Sequence, residues 1–149
     1  MSAQENADGS TLAAGAVVRS RQNPRPKTLA EVAQLAAAGD SFDRCLANFL
    51  DEFYGAPAAT ALSPTPELLA PQLGELGRVQ DAYLAATAEH LACAHGFPIP
   101  AWVGTEDRKL RRPWFASQMA SLRAVLILES PAAFRSRNLF ISENALTRA

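Results

Sequence analysis

Between residues 42 and 53 the apolar side chains Phe42, Cys45, Leu46, Phe49, Leu50 and Phe53 recur at the i, i+3, i+4, i+7 spacing of a helix with one buried face. Asp43, Arg44, Asn48, Asp51 and Glu52 fall on the opposite side, which makes this the clearest amphipathic element in the chain. Asp40 or Ser41 supplies its cap, and Tyr54-Gly55 its end. Upstream, Thr28 followed by Glu31 has the form of a capping box. That predicts a first helix carrying Leu29, Val32, Leu35 and Ala36 on one face, stopped by a left-handed turn at Gly39.

The remaining pattern is longer and less regular. Pro57, Pro64, Pro66 and Pro71 predict a stiff connection over 56–72 with at most one helical turn, at 67–70. A third helix is expected over 74–95, ended by Gly96, with Leu76, Val79, Tyr83, Leu84, Thr87 and Leu91 buried. Pro98 and Pro100 enforce an extended segment whose Phe97, Ile99 and Trp102 lie over the bundle. Pro113 opens a helical turn at Trp114-Phe115, and a fourth main helix follows over 117–129, burying Met119, Leu122, Val125, Leu126 and Ile127. Ser130-Pro131 reads as a cap and first position of a short helix over 132–136. Leu139-Phe140-Ile141 suits one short extended strand, and Ser142 with Glu143 caps a last turn carrying Leu146.

These elements predict an all-α fold: an irregular bundle of about four main helices with short C-terminal helices and Pro-rich connections. Its core pairs Phe42, Leu46, Phe49, Leu50 and Phe53 with Tyr83, Leu91, Leu122, Val125 and Leu126. One domain is expected over 28–149, preceded by a disordered arm over 1–27, where Ser, Ala, Gly, Asn, Gln and Pro replace any sustained period. Within that arm, LAAGAVV at 12–18 is an apolar patch suited to a transient helical turn or to docking on a neighbour.

Composition agrees with helices, since the 48% hydrophobic fraction is dominated by alanine while Val, Ile and Thr are sparse. The net charge of −1 hides an uneven distribution. Residues 1–28 carry four Lys/Arg against two acids, 29–100 two against nine, and 101–149 eight against four. A split of this kind draws the two halves together within the fold, or presents the basic part to an anionic partner. Two cysteines make no disulfide framework, no secretory leader is visible and no apolar run reaches membrane-spanning length. The expected location is the cytoplasm.

Little of the sequence carries catalytic chemistry. His90, Cys93 and His95 cluster at a helix end but lack a fourth ligand unless Cys45 joins them; Cys45 and Cys93 read instead as small core residues, and no metal or cofactor is expected. Ser130 and Ser142 occupy cap positions, the pairs Asp51-Glu52 and Glu106-Asp107 look solvated, and no nucleophile elbow or phosphate loop occurs. A small enzyme of another type stays open as an alternative.

The candidate site is cationic. Arg108, Lys109, Arg111 and Arg112 stand beside Trp114 and Phe115, a combination suited to a protein hot spot or to nucleic-acid backbone and base stacking. The alternative is internal, with the aromatics in the core and the arginines paired to the acidic helices. Arg135 and Arg137 bracket Ser136, where two guanidiniums can grip a carboxylate or phosphate or meet the negative end of a helix. Neither of the first two helices begins with base-reading side chains, so no helix–turn–helix is evident.

At PAWV (100–103), RPWF (112–115) and ESPAAFRSRNLFIS (129–142) the chain resembles a group of small bacterial proteins. FLDEFY (49–54) and GRVQDAYLAA (77–86) echo the same group. These proteins are similar to the C-terminal part of antitoxin-like regulators found beside predicted nucleotidyltransferases of toxin–antitoxin type. The match covers about residues 98–146. The resemblance implies a non-enzymatic protein that binds and restrains a protein partner, an adjacent-gene product. The chain departs from the regulators in lacking their N-terminal helix–turn–helix, which argues against operator binding. Nucleic acid through the 108–112 patch is the second reading, a homo-oligomer stays open, and no membrane is expected.

Overall fold

The computed structural model describes residues 25–147, and the fold is mostly helical. Residues 1–24 of the expected arm, including LAAGAVV, lie outside the described residues. The arm's last three residues belong with the domain: Pro26 is buried, Arg25 pairs with Asp51 at 3.4 Å, and the Lys27 amide donates to Glu31 Oε1.

Helix α1 (Leu29–Ala37) begins at the expected box, with the Glu31 amide donating to Thr28 Oγ1 at 3.0 Å and the Thr28 amide to Glu31 Oε1. Gly39, at φ 106°, turns the chain into α2 (Phe42–Gly55), whose Ser41 cap accepts from the Arg44 amide. The two helices form a hairpin that buries Leu29, Val32, Phe42, Leu46, Phe49 and Phe53. The 56–72 connection holds a 3-10 turn at Ala59–Ala61, and its helical turn, α3 (Ala70–Leu73), lies further along than the expected 67–70.

Helix α4 (Glu75–His95) is the centre of the molecule. Ala82, Ala85, Ala86, Ala88 and Ala92 are buried around it, so neighbours approach from several sides, and no single apolar stripe advertises this in the sequence. Leu84, Thr87 and Leu91 are buried as expected, Val79 and Tyr83 partly so, but Leu76 is 60% exposed although its neighbour Gly77 packs against the Leu69 backbone. Aromatic side chains join α2 to α4: Phe42 meets Tyr83 edge-on at 6.1 Å, and Phe53 meets His95 at 5.0 Å.

After two 3-10 turns, Ala101–Gly104 and Glu106–Arg108, the chain departs from the predicted helical turn at Trp114. Trp114–Phe115 is extended and forms strand β1, parallel to β2 (Leu139–Phe140), with Trp114 opposite Leu139 and Phe115 opposite Phe140. Between them lie α5 (Ala120–Glu129) and the short α6 (Ala132–Arg135). Ser130 does not cap α6. It is buried, and its hydroxyl donates to the Leu139 carbonyl at 2.9 Å and accepts from the Ile141 amide, stitching the end of α5 to β2. At the C-terminus the Ser142 hydroxyl accepts from the Asn144 amide, Leu146 is buried, and its carbonyl accepts from the Tyr54 hydroxyl at 2.9 Å.

The largest departure from the sequence pattern is α5. Only Leu126 of that helix is buried; Met119, Leu122, Val125, Ile127 and Leu128 all face solvent. The predicted pairing of the α2 face with Leu122 and Val125 therefore does not occur. α5 packs on the β1–β2 ribbon at the margin of the fold, and Phe134 packs against Tyr83 of α4 instead, their rings 5.0 Å apart. No helix among the described residues is long and apolar enough to cross a membrane.

Candidate binding surface

The β1–β2 ribbon presents the basic stretch. The Leu110 amide donates to the Arg137 carbonyl, Asn138 Nδ2 to the Leu110 carbonyl at 2.8 Å, and the Trp114 amide to the Asn138 carbonyl at 2.8 Å. Asn138 holds the left-handed backbone (φ 64°) that this geometry requires, a conformation asparagine tolerates better than most residues. With 110 and 114 both pinned, the intervening Arg111, Arg112 and Pro113 turn outward, and all three are exposed.

They border a cleft of about 930 Å³ whose other walls are Glu75, Arg78 and Val79 of α4, with Leu110 and Trp114. Three guanidiniums there face one carboxylate, so the cleft favours an anionic occupant. An adjoining cleft of about 670 Å³ shares Arg78, Leu110 and Arg111 and adds Lys109, but Asp81, Glu106 and Asp107 balance its charge. Lys109 is tied to Glu106 at 3.5 Å. Arg111 and Arg112 make no hydrogen bond or ion pair among the described residues.

Arg108 does not belong to this surface. It is 2% exposed, its guanidinium lies 4.8 Å over the Trp102 ring, and Nη2 donates to the Pro66 carbonyl. Nearby, the buried Asp81 carboxylate accepts from the Leu69 and Ala70 amides at 2.7 and 3.0 Å. Burial raises the Asp81 pKa, against the pull of those two amides and of Arg108; burial likewise lowers that of Arg108, opposed by Asp81. Together they fasten the 66–70 connection to α4.

Arg135 and Arg137 are likewise separated. Arg135 is exposed and donates to the Ser130 carbonyl at 2.9 Å. Arg137, 3% exposed, turns inward to Glu89 at 2.8 Å and to the Ala133 and Val103 carbonyls. A two-guanidinium grip on one anion is therefore not formed: residues two apart past a helix end point in different directions, and Glu89 offers the nearer carboxylate.

Trp114 is half-buried, packed against the core, with one side open to the cleft. Its neighbour Phe115 faces the other way, stacked on Phe140 at 5.1 Å, and Arg123 of α5 covers the Phe115 ring at 5.2 Å. The ribbon thus joins the arginine cleft to exposed α5. The sequence pointed to Arg111, Arg112 and Trp114 but missed Arg78, which sits alone among acidic residues and reaches the cleft only because α4 packs beside 110–114. It also missed the outward apolar side of α5, which reads as core.

The other candidate chemistry disperses. His95 Nδ1 hydrogen-bonds the Leu91 carbonyl and its ring stacks with Phe97, while Cys93 is exposed, not a core residue. Cys45 is buried, and burial together with Asp40 pushes its thiol up to about 11, leaving it protonated at neutral pH. No group of three potential metal ligands occurs among the described residues. Comparison with known families, with characterised proteins and with solved structures finds no match to this chain.

Proposed function

We propose that this chain is a protein-binding module whose docking face comprises the outward side of α5 and the arginine cleft beside Trp114. The observation that carries the reading is the exposure of α5. Leu122, Val125 and Ile127 are each at least two-fifths exposed, and Leu128 is 80% exposed. A helix apolar around most of its circumference is normally covered, and contiguous exposed apolar surface marks an interaction site. Charge complementarity describes the occupant: a protein that sets an apolar patch on α5 and acidic groups in the cleft of Arg78, Arg111 and Arg112. The resemblance at 98–146 suggests its class, a nucleotidyltransferase-type protein of a toxin–antitoxin pair, with this chain as its antitoxin-like partner in the cytoplasm.

The test is affinity capture from the native host with the wild-type chain and with Val125→Glu/Leu128→Glu. Both side chains are exposed, so the melting temperature is expected to hold while a nucleotidyltransferase-type protein retained by the wild type is lost. Equal retention by both proteins removes α5 from the docking face.

A second reading, nucleic-acid binding, draws on the unpaired Arg111 and Arg112 next to an aromatic ring. It is weaker because Arg108 and Arg137 are buried, which removes two of the six cations read from the sequence. Steep loss of DNA or RNA affinity with salt favours it; absence of binding at low salt removes it.

A further inference from the structure

A second concavity, of about 730 Å³, lies on the other side of Trp114, between α2, α4 and the ribbon. Gln80 and Tyr83, neighbours on one face of α4, line it together with Phe42 and Asp43 of α2. The rest of its lining is mostly apolar. Among the described residues it includes one carboxylate, that of Asp43, and no Lys, Arg or His. Across Trp114 the balance is reversed, since the arginine cleft gathers three guanidiniums around one carboxylate. The two sides of one indole therefore favour opposite charges.

Three polar groups along this concavity have no hydrogen-bond or ion-pair partner among the described residues. Gln80 is 9% exposed, and its Oε1 is buried without a hydrogen bond. An acceptor buried in that state is destabilising, and folded proteins keep few of them. Asp43 is exposed and unpaired, because the adjacent Arg44 is taken by Asp40. The Tyr83 hydroxyl is the third group. Burial, and after it the Asp43 charge, pushes the Tyr83 phenol up to about 12, so it is a neutral hydroxyl at pH 7.

We propose that this concavity is a binding site for a small organic amine, a protonated nitrogen on an apolar or aromatic body. The ammonium pairs with Asp43, and its N–H groups supply the donors that Gln80 Oε1 and the Tyr83 hydroxyl lack. The terminal torsion of a glutamine is soft, so the Gln80 amide can turn to meet the ligand. Phe42, Val79 and Trp114 contact the body, and the Tyr83 and Trp114 rings add cation–π attraction. An anion is repelled by Asp43, and a neutral molecule leaves that carboxylate unpaired. The volume and the few polar groups among apolar walls are those of a small-molecule site. This inference does not rest on the partner reading, which concerns α5 and the opposite side of Trp114.

Calorimetric titration of the full chain with 2-phenylethylamine and with 1-hexylamine, at millimolar concentration and pH 7, tests it. Binding of at least one amine is expected, with 2-phenylethanol at least tenfold weaker than 2-phenylethylamine. Asp43→Asn, at an exposed position, should weaken the amine at least tenfold without changing the melting temperature. Gln80→Leu should weaken it several-fold while keeping or raising the melting temperature, because it removes an unpaired buried acceptor. In amide-correlation spectra the Trp114 indole signal should move on titration and that of the buried Trp102 should not. No binding of either amine overturns the proposal. So does equal affinity for 2-phenylethanol, which would leave an apolar hollow without selection for charge, or unchanged amine affinity in Asp43→Asn.

Discussion

At Gly77 a side chain has no room: a Cβ there would lie 2.3 Å from the Leu69 carbonyl oxygen, which is backbone and yields only if the connection moves. Gly77→Ala is expected to cost about 1–3 kcal/mol, read from denaturant unfolding. Phe49, wholly buried and 5.8 Å from Phe53, is the corresponding test of the core; its replacement by Ala should cost about 3–5 kcal/mol. Asp81 sets a pH dependence. Its folded pKa is raised above the ordinary 3.8, so the folded state holds this proton more tightly than the unfolded chain does. Its contribution is therefore greatest below 3.8 and is lost as pH rises through the folded value. Relative to Asp81→Asn, which cannot titrate, the wild type should lose stability across that window; parallel stability–pH curves would contradict the assignment.

At the scale of elements, what could be read from sequence depended on whether local pattern decided the outcome. Thr28 with Glu31 and Ser41 before Phe42 form caps from residues a few positions apart, so α1 and α2 begin where expected. Trp114–Phe115 was misread because its partner strand lies 25 positions away and two residues carry no period. α5 lies where the pattern places it and Leu126 is buried as expected, but Met119, Leu122, Val125 and Ile127 are not. Met119, Leu122 and Val125 have core spacing, and only the ribbon beneath Leu126 determines which side is covered. The basic stretch divides for the same reason, because burial is tertiary. Arg108→Gln is accordingly expected to lower the melting temperature, whereas Arg111→Gln/Arg112→Gln should leave it unchanged and slow partner association at low ionic strength.

In the whole molecule, the acidic middle and basic end meet where the buried Arg137 pairs with the partly exposed Glu89, and the buried Asp81 and Arg108 attract each other without a direct bond, which uses up part of the charge asymmetry. What remains outward is Arg78, Arg111 and Arg112 around the cleft and the uncovered apolar side of α5, joined through Phe115 and Arg123. We propose that this remaining surface receives a protein. The most direct measurement is the affinity of the purified chain for the captured partner, compared between wild type and Val125→Glu/Leu128→Glu at equal melting temperature. A loss of at least tenfold, about 1.4 kcal/mol, is expected because a charge replaces an apolar contact on the docking face. An unchanged dissociation constant would contradict it.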